Sequence, residues 1–272
     1  MEILTRSPQP IHRPCWELSD RNTPAVRWVD EHIGIPLWSK QIEVLNAVFT
    51  QGSVTVRSGH GIGKTLIAAV ITLCFIDTLR PSKVITTAPT WRQVAHILWA
   101  EINTLYRKSK IPQLIGGRML NMSYWLSDEH FAVGFHPREN RLEEFQGYHS
   151  PNILIIMDES PGISQVLYDA AMGLMTTNAY ILQIGNPTEP AGHFWGSFQD
   201  DAYHKVHVSC FDSPNVTGEA HIPGLVTREW IEARRNDWGE DDPRYRNKVL
   251  GEFSDTTEDR GIPMDWIRAA FA

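Results

Sequence analysis

The chain has 272 residues, 42% of them hydrophobic, and a formal net charge of -7, which suits one large globular domain with or without a small appendage and gives no overall attraction to a polyanion. No run approaches the roughly 18 consecutive apolar residues of a membrane span, and the opening MEILTRSPQP lacks the apolar core of a secretory signal, so a cytosolic protein without membrane contact is expected. Cys15, Cys74 and Cys210 are odd in number and widely separated, which argues against both a disulfide framework and a zinc site.

In chain order, residues 1–23 are rich in Pro, Arg and His without periodicity and read as an N-terminal arm. Trp38-Ser39-Lys40-Gln41 then leads into an amphipathic helix, IEVLNAVF. The Gln41 amide both donates and accepts, as reading an adenine edge requires; alone it would be an ordinary surface glutamine. The strand SVTVR (53–57) runs into Ser58-Gly59-His60-Gly61-Ile62-Gly63-Lys64-Thr65, and a helix is expected from Lys64 to Leu79. Strand, glycine-rich turn, Lys-Thr and helix together form a phosphate-binding loop. Its backbone N–H groups wrap the β- and γ-phosphates, Lys64 neutralises them, and the Thr65 hydroxyl binds Mg²⁺. The pattern departs only at Ser58, where a glycine is usual.

Further strands are expected at KVITTA (83–88), FAVGF (131–135), NILIIMD (152–158), AYILQIG (179–185) and KVHVS (205–209), with helices over Trp91–Arg107 and Ser164–Met175. Several of these strands are apolar on both faces, as parallel strands covered by helices must be. The fold class is therefore α/β, a P-loop architecture with a central, mostly parallel sheet flanked by helices. NILIIMD ends in Asp158, which would reach Mg²⁺, followed by Glu159, which would polarise an attacking water as general base. The same acids would also serve as helix caps. AYILQIG delivers Gly185-Asn186-Pro187-Thr188 to the same strand-end edge, where Asn186 or Thr188 would bond the γ-phosphate or the lytic water; a plain turn fits as well. After Val226 the pattern is helix and loop, so the expected organisation is an arm (1–23), a P-loop domain (24–225) and a linker or lid (226–272). Basic clusters at Arg107, Lys108, Lys110, Arg118 and at Arg228, Arg234, Arg235, Arg244, Arg246, Lys248 could line a locally basic groove for nucleic acid, but by spacing alone they read as solvated helix faces.

With these elements in order the chain resembles the ATPase half of viral large terminases, related to helicase-type motors of the additional-strand P-loop class. The resemblance rests on WSKQIEVL, SGHGIGKT, TTAPTWRQV, FQGYHSPNILIIMDES, QIGNPTEP, SCFDSPNV, IPGLV and YRNKVLGEF, and covers most of the chain from Trp38 onward. It implies ATP and Mg²⁺ as cofactors, nucleotide binding at Lys64 and Thr65, Mg²⁺ at Asp158, the catalytic base at Glu159, and coupling of hydrolysis to movement through Gly185-Asn186-Pro187. Gln93, in APTWRQV, falls in a segment such motors place near nucleic acid.

The implied activity is ATP-driven translocation of double-stranded DNA into a procapsid in the host cytoplasm, by a homo-oligomeric ring with the portal protein and a small terminase subunit as partners. The family commonly has an arginine inside the phosphate loop, where this chain has His60, with Arg57 just before it. A cation acting on a neighbouring subunit's ATP is expected near FQG; Arg138 and Arg141 are the candidates. KVLGEF resembles the segment leading out of the ATPase domain, and no later strand series supplies nuclease carboxylates, so this chain is expected not to cut DNA. The same motifs admit another DNA-stimulated P-loop ATPase, such as a helicase or remodelling translocase, although motifs of a second motor domain are absent. They also admit a non-motor DNA-binding protein with a vestigial nucleotide site.

Overall fold

The computed structural model describes residues 17–136, 148–175 and 178–254. In chain order its elements are α1 (Pro24–Trp28), α2 (Ser39–Gln51), β1 (Ser53–Ser58), α3 (Lys64–Thr78), β2 (Lys83–Thr87), α4 (Trp91–Gln93), α5 (Trp99–Lys108), α6 (Ile111–Leu114), β3 (Arg118–Met119), β4 (Ser123–Ser127), β5 (His130–Gly134), β6 (Ile153–Asp158), α7 (Gln165–Met172), β7 (Ala179–Gly185), α8 (Gly192–Ser197), β8 (His204–Val208), α9 (Pro214–Thr217), α10 (Arg228–Trp238) and α11 (Pro243–Tyr245). π-Helical turns occupy Val29–Ile33, Val94–Leu98 and Arg246–Leu250. The second joins α4 to α5, so the single helix expected from Trp91 carries an irregular turn in its middle.

The strands form one sheet in the order β3-β4-β5-β2-β6-β7-β1-β8. From β5 to β8 all neighbours are parallel, and only the β3–β4 and β4–β5 pairings at one edge are antiparallel. The strands expected from sequence lie within one residue of their observed ends. The β3–β4 edge was not expected. β3 has two residues, too few to show a period, and β4 is only half-covered, so neither carries the continuous apolar run that marks the central strands.

Alternation along the central strands divides the core into two layers. Val84, Leu154, Ile156, Tyr180, Leu182 and Ile184 face the layer built with α2, α3 and α5. Ile85, Ile153, Ile155, Met157 and Ile181 face a smaller layer closed by Leu167 and Ala171 of α7. Helix α3 is buried almost all round from Ile67 to Ile76, as expected of a helix wedged between sheet and neighbouring helices. Residues at both ends are tied to this body. Asn46 Nδ2 donates to the carbonyls of Leu18 and Asp20, and Ile231, Tyr245 and Val249 join the larger core layer. The stretch read as a linker thus packs, through residue 254, against the same body. Among the described residues no helix is long and apolar enough to cross a membrane.

Candidate active site

Parallel register brings the chemistry together. β7 lies between β1 and β6, with Arg57 level with Gly185 and Asp158 level with Ile184. The glycine-rich loop, the acidic pair and Asn186 therefore leave the sheet at one edge, where open α/β sheets gather ligands.

The loop conformation requires its glycines. Gly61 and Gly63 have φ of 63° and 81°, in the left-handed region, and a Cβ on Gly63 would lie 2.7 Å from Gln41 Nε2. Gln41 itself is buried, and its Nε2 donates to Gly63 O at 3.3 Å, so it braces the loop from behind. The remaining loop positions are Ser58, whose side chain is buried, Gly59, His60 and Ile62, which is buried in the core. Gly59 N donates to Val208 O and His60 N to Lys248 O, fixing the loop to β8 and to the turn Arg246–Leu250.

Lys64 Nζ, only 8% exposed, donates to Asn186 Oδ1 at 2.9 Å and Gly59 O at 3.4 Å, and lies 3.8 Å from Glu159 Oε1. Asn186 in turn donates through Nδ2 to Ser58 O at 2.5 Å, linking the ends of β7 and β1. Thr65 Oγ1 donates to Asp158 Oδ2 at 3.4 Å, while Asp158 Oδ1 accepts from Glu159 N at 3.1 Å. Burial, and then the Glu159 charge, push the Asp158 carboxyl up to about 6, against the pull of Lys64 and its hydrogen bonds. Glu159 is the non-glycine residue at positive φ among those described, at 49°. A left-handed backbone at a glutamate stores roughly 1–3 kcal/mol, which neighbouring packing must sustain. Gly185 sustains it in part, since a Cβ there would collide with Pro161 just after the turn.

The residues fit a magnesium nucleotide. Among the described residues no group of three or more His, Cys, Asp or Glu side chains gathers, and Mg²⁺ needs none, because one carboxylate and a hydroxyl suffice when phosphates and water complete its shell. Thr65 and Asp158 would supply that pair, and the Lys64 ammonium would supply charge for the phosphates.

A cavity of about 490 Å³ opens beside this cluster, lined by His60, Gln93, Glu159, Asn186, Thr188 and Lys248. Burial holds the His60 imidazole below its usual range, and Lys64 and Lys248 add to the effect. Arg57, by contrast, points away from the loop, its guanidinium over the rings of Phe198 and Phe253 at 5.6 and 5.9 Å. Arg138 and Arg141 lie outside the described residues.

Sequence reasoning missed the downstream clamp on the loop. Cys210 Sγ donates to the carbonyls of His60 and Lys248, at 3.3 Å each, and Val226 N donates to Gly61 O at 2.8 Å. The signal was faint: a lone cysteine and the phrase KVLGEF, which marks a position in the chain but not a contact.

No family model matches the chain. It is 28% identical over 227 residues to a probable terminase large subunit of Enterobacteria phage P7, a match covering 80% of this chain and 46% of that relative, so the chain spans about half the relative's length. The large terminase ATPase domain of Thermus phage P74-26 superposes with a TM-score of 0.60 at 15% identity, covering 84% of this chain and 98% of that one. The large terminase of a thermophilic bacteriophage, in complex with ADP, superposes with a TM-score of 0.59 at 14% identity, covering 80% and 54% respectively. The chain is thus similar in sequence to a probable phage large terminase and shares the fold of solved large terminase ATPase domains.

Proposed function

We propose that this chain is the ATP-hydrolysing motor portion of a bacteriophage large terminase, which moves double-stranded DNA through a portal into a procapsid. The observation that carries the reading is the convergence of Lys64, Thr65, Asp158, Glu159 and Asn186 on one sheet edge around the glycine loop. Support also comes from the terminase of the thermophilic bacteriophage, which has been seen in complex with ADP and with ATP-gamma-S.

In this reading the loop N–H groups and Lys64 hold the β- and γ-phosphates, and Thr65 with Asp158 holds Mg²⁺. The bound ion would neutralise charge developing on the phosphate oxygens. Glu159, the partly exposed carboxylate beside Lys64, orients and deprotonates the attacking water. Asn186 donates to the end of β1 and accepts from Lys64, so loss of the γ-phosphate alters the pull on a side chain joining two strands. Gly185 transmits that change to the Glu159–Pro161 turn by close packing. The wider assembly is a homo-oligomeric ring with portal and small terminase subunit as partners, working in the host cytoplasm, and a cation from a neighbouring subunit completes the site.

ATP hydrolysis should be measured with and without duplex DNA, portal and procapsids, alongside a strand-displacement assay. Stimulation by the full combination without unwinding is the expected result. Unwinding of duplex, or hydrolysis indifferent to procapsids and portal, would replace the packaging reading with a helicase or translocase.

A further inference from the structure

Among the described residues after 227 there are basic side chains at Arg228, Arg234, Arg235, Arg244, Arg246 and Lys248, and all but the last are engaged by partners within reach. Arg234 pairs with Asp237, Arg235 with Glu232 and Glu240, Arg244 with Asp242 and Arg246 with Glu252, while Arg228 donates to the Val216 carbonyl. Lys248 has no ion pair among the described residues. Its side chain is exposed and lines the cavity that also contains Glu159 and Asn186, the two side chains that hold Lys64. The ammonium lies 5.8 Å from the centre of the Trp238 ring, on the side of a neighbouring cavity that Lys248 and His60 also line, so the side chain stands between the two cavities.

The backbone fixes the position. Lys248 O accepts from His60 N at 2.8 Å and from Cys210 Sγ, so the residue is anchored to the phosphate loop itself. Whichever way its amide is turned, Asn247 also bonds the loop after β7, at Thr188 O or Pro187 O. A π-helical turn is the irregularity that lets one short segment touch both loops.

We infer that Lys248 is a phosphate-binding cation acting in cis, its flexible side chain turning from Trp238 into the shared cavity to engage the γ-phosphate of a nucleotide seated on Lys64. The inference rests on the nucleotide-site reading above and adds a residue to it. A charge aimed at the γ-phosphate acts on ATP and not on ADP, because only ATP carries that group. Lys248 also lies in the segment read from sequence as a linker, so it connects that segment directly to nucleotide state.

The test is the affinity for ATP-gamma-S relative to ADP, each with Mg²⁺, in wild type, Lys248→Ala and Lys248→Arg, with thermal melting as a check on folding. The side chain makes none of the loop-anchoring bonds, so Lys248→Ala should melt like wild type. Its ATP-gamma-S affinity should fall about tenfold while ADP affinity holds, in line with a charge-assisted hydrogen bond to a charged group, and Lys248→Arg should restore most of the difference. An unchanged ratio in a folded Lys248→Ala protein, with wild type binding both nucleotides, would overturn this inference and leave the site reading intact. Equal loss of both nucleotides would also overturn it, by showing a structural role. Failure of wild type to bind either nucleotide would overturn the nucleotide site and this inference together.

Discussion

At the scale of single residues, the site sets three charged side chains to different tasks within a few ångströms. Lys64 is buried and fully bonded to Asn186 and Gly59, so Lys64→Ala should weaken nucleotide binding and turnover together. Glu159 is partly exposed and bonded to no phosphate-loop N–H group; Glu159→Gln should therefore retain nucleotide while turnover falls by about 10²–10⁴-fold. Equilibrium binding and single-turnover hydrolysis separate the two, and undiminished turnover in Glu159→Gln would remove it as the base. Asp158 carries a different signature. Its folded-state carboxyl is raised to about 6, so the folded protein binds a proton that the unfolded chain has released. The stability it contributes to the nucleotide-free protein is present below its ordinary value near 4, declines as pH rises, and is lost above about 6. Asp158→Asn should accordingly melt higher than wild type at pH 7, with the gap closing toward pH 4; a gap independent of pH would contradict the assignment.

At the scale of elements, the turn Arg246–Leu250 and Gly251 clamp the phosphate loop to the far end of the chain. Gly251 has a φ of 69°, and a Cβ there would lie 2.8 Å from Val208 O and 2.9 Å from Gly59 N. Gly218, at 84°, has open space around it. Both residues need left-handed backbone, which costs a non-glycine residue roughly 1–2 kcal/mol, but only Gly251 also faces close backbone. Gly218→Ala should lose about 1 kcal/mol in urea denaturation, and Gly251→Ala about 1–3 kcal/mol more. Gly251→Ala should also weaken nucleotide binding, because the displaced turn carries the carbonyl that receives His60 N. Equal losses from the two variants would show that the clamp is not tight.

Across the whole molecule, Lys248 is the one lysine or arginine among the described residues lining the cavity that has no acidic partner, since Arg244, which also lines it, pairs with Asp242. The proposed ring would supply one more from a neighbour, at Arg138 or Arg141. A cation supplied in trans is worth about 10³–10⁵ in rate, so specific activity should rise with protein concentration or on assembly with portal. Mixing Lys64→Ala subunits with Arg138→Ala/Arg141→Ala subunits should change activity in a ratio-dependent way. Strictly additive activity at every ratio, independent of concentration, would place the missing cation within one subunit.

Features carried by local pattern can be read from the residues without the fold. A glycine-rich turn between strand and helix, an apolar strand ending in Asp158-Glu159, and continuous β-branched runs need no partner to be recognised, because backbone geometry and burial on both faces dictate those residues directly. The central strands, Lys64, Thr65 and the acidic pair were legible for that reason. Only the tertiary structure decided which strands are neighbours, and hence that Asn186 reaches Lys64 and Ser58 across more than a hundred residues of chain. It also turned Gln41 against Gly63, sent Arg57 to an aromatic pair, added the short β3–β4 edge, and brought Cys210 and the turn carrying Lys248 together on the phosphate loop. These contacts are single hydrogen bonds and close approaches between distant segments. They leave no periodicity in the sequence, because each depends on the path of the chain between the partners and not on the residues beside them.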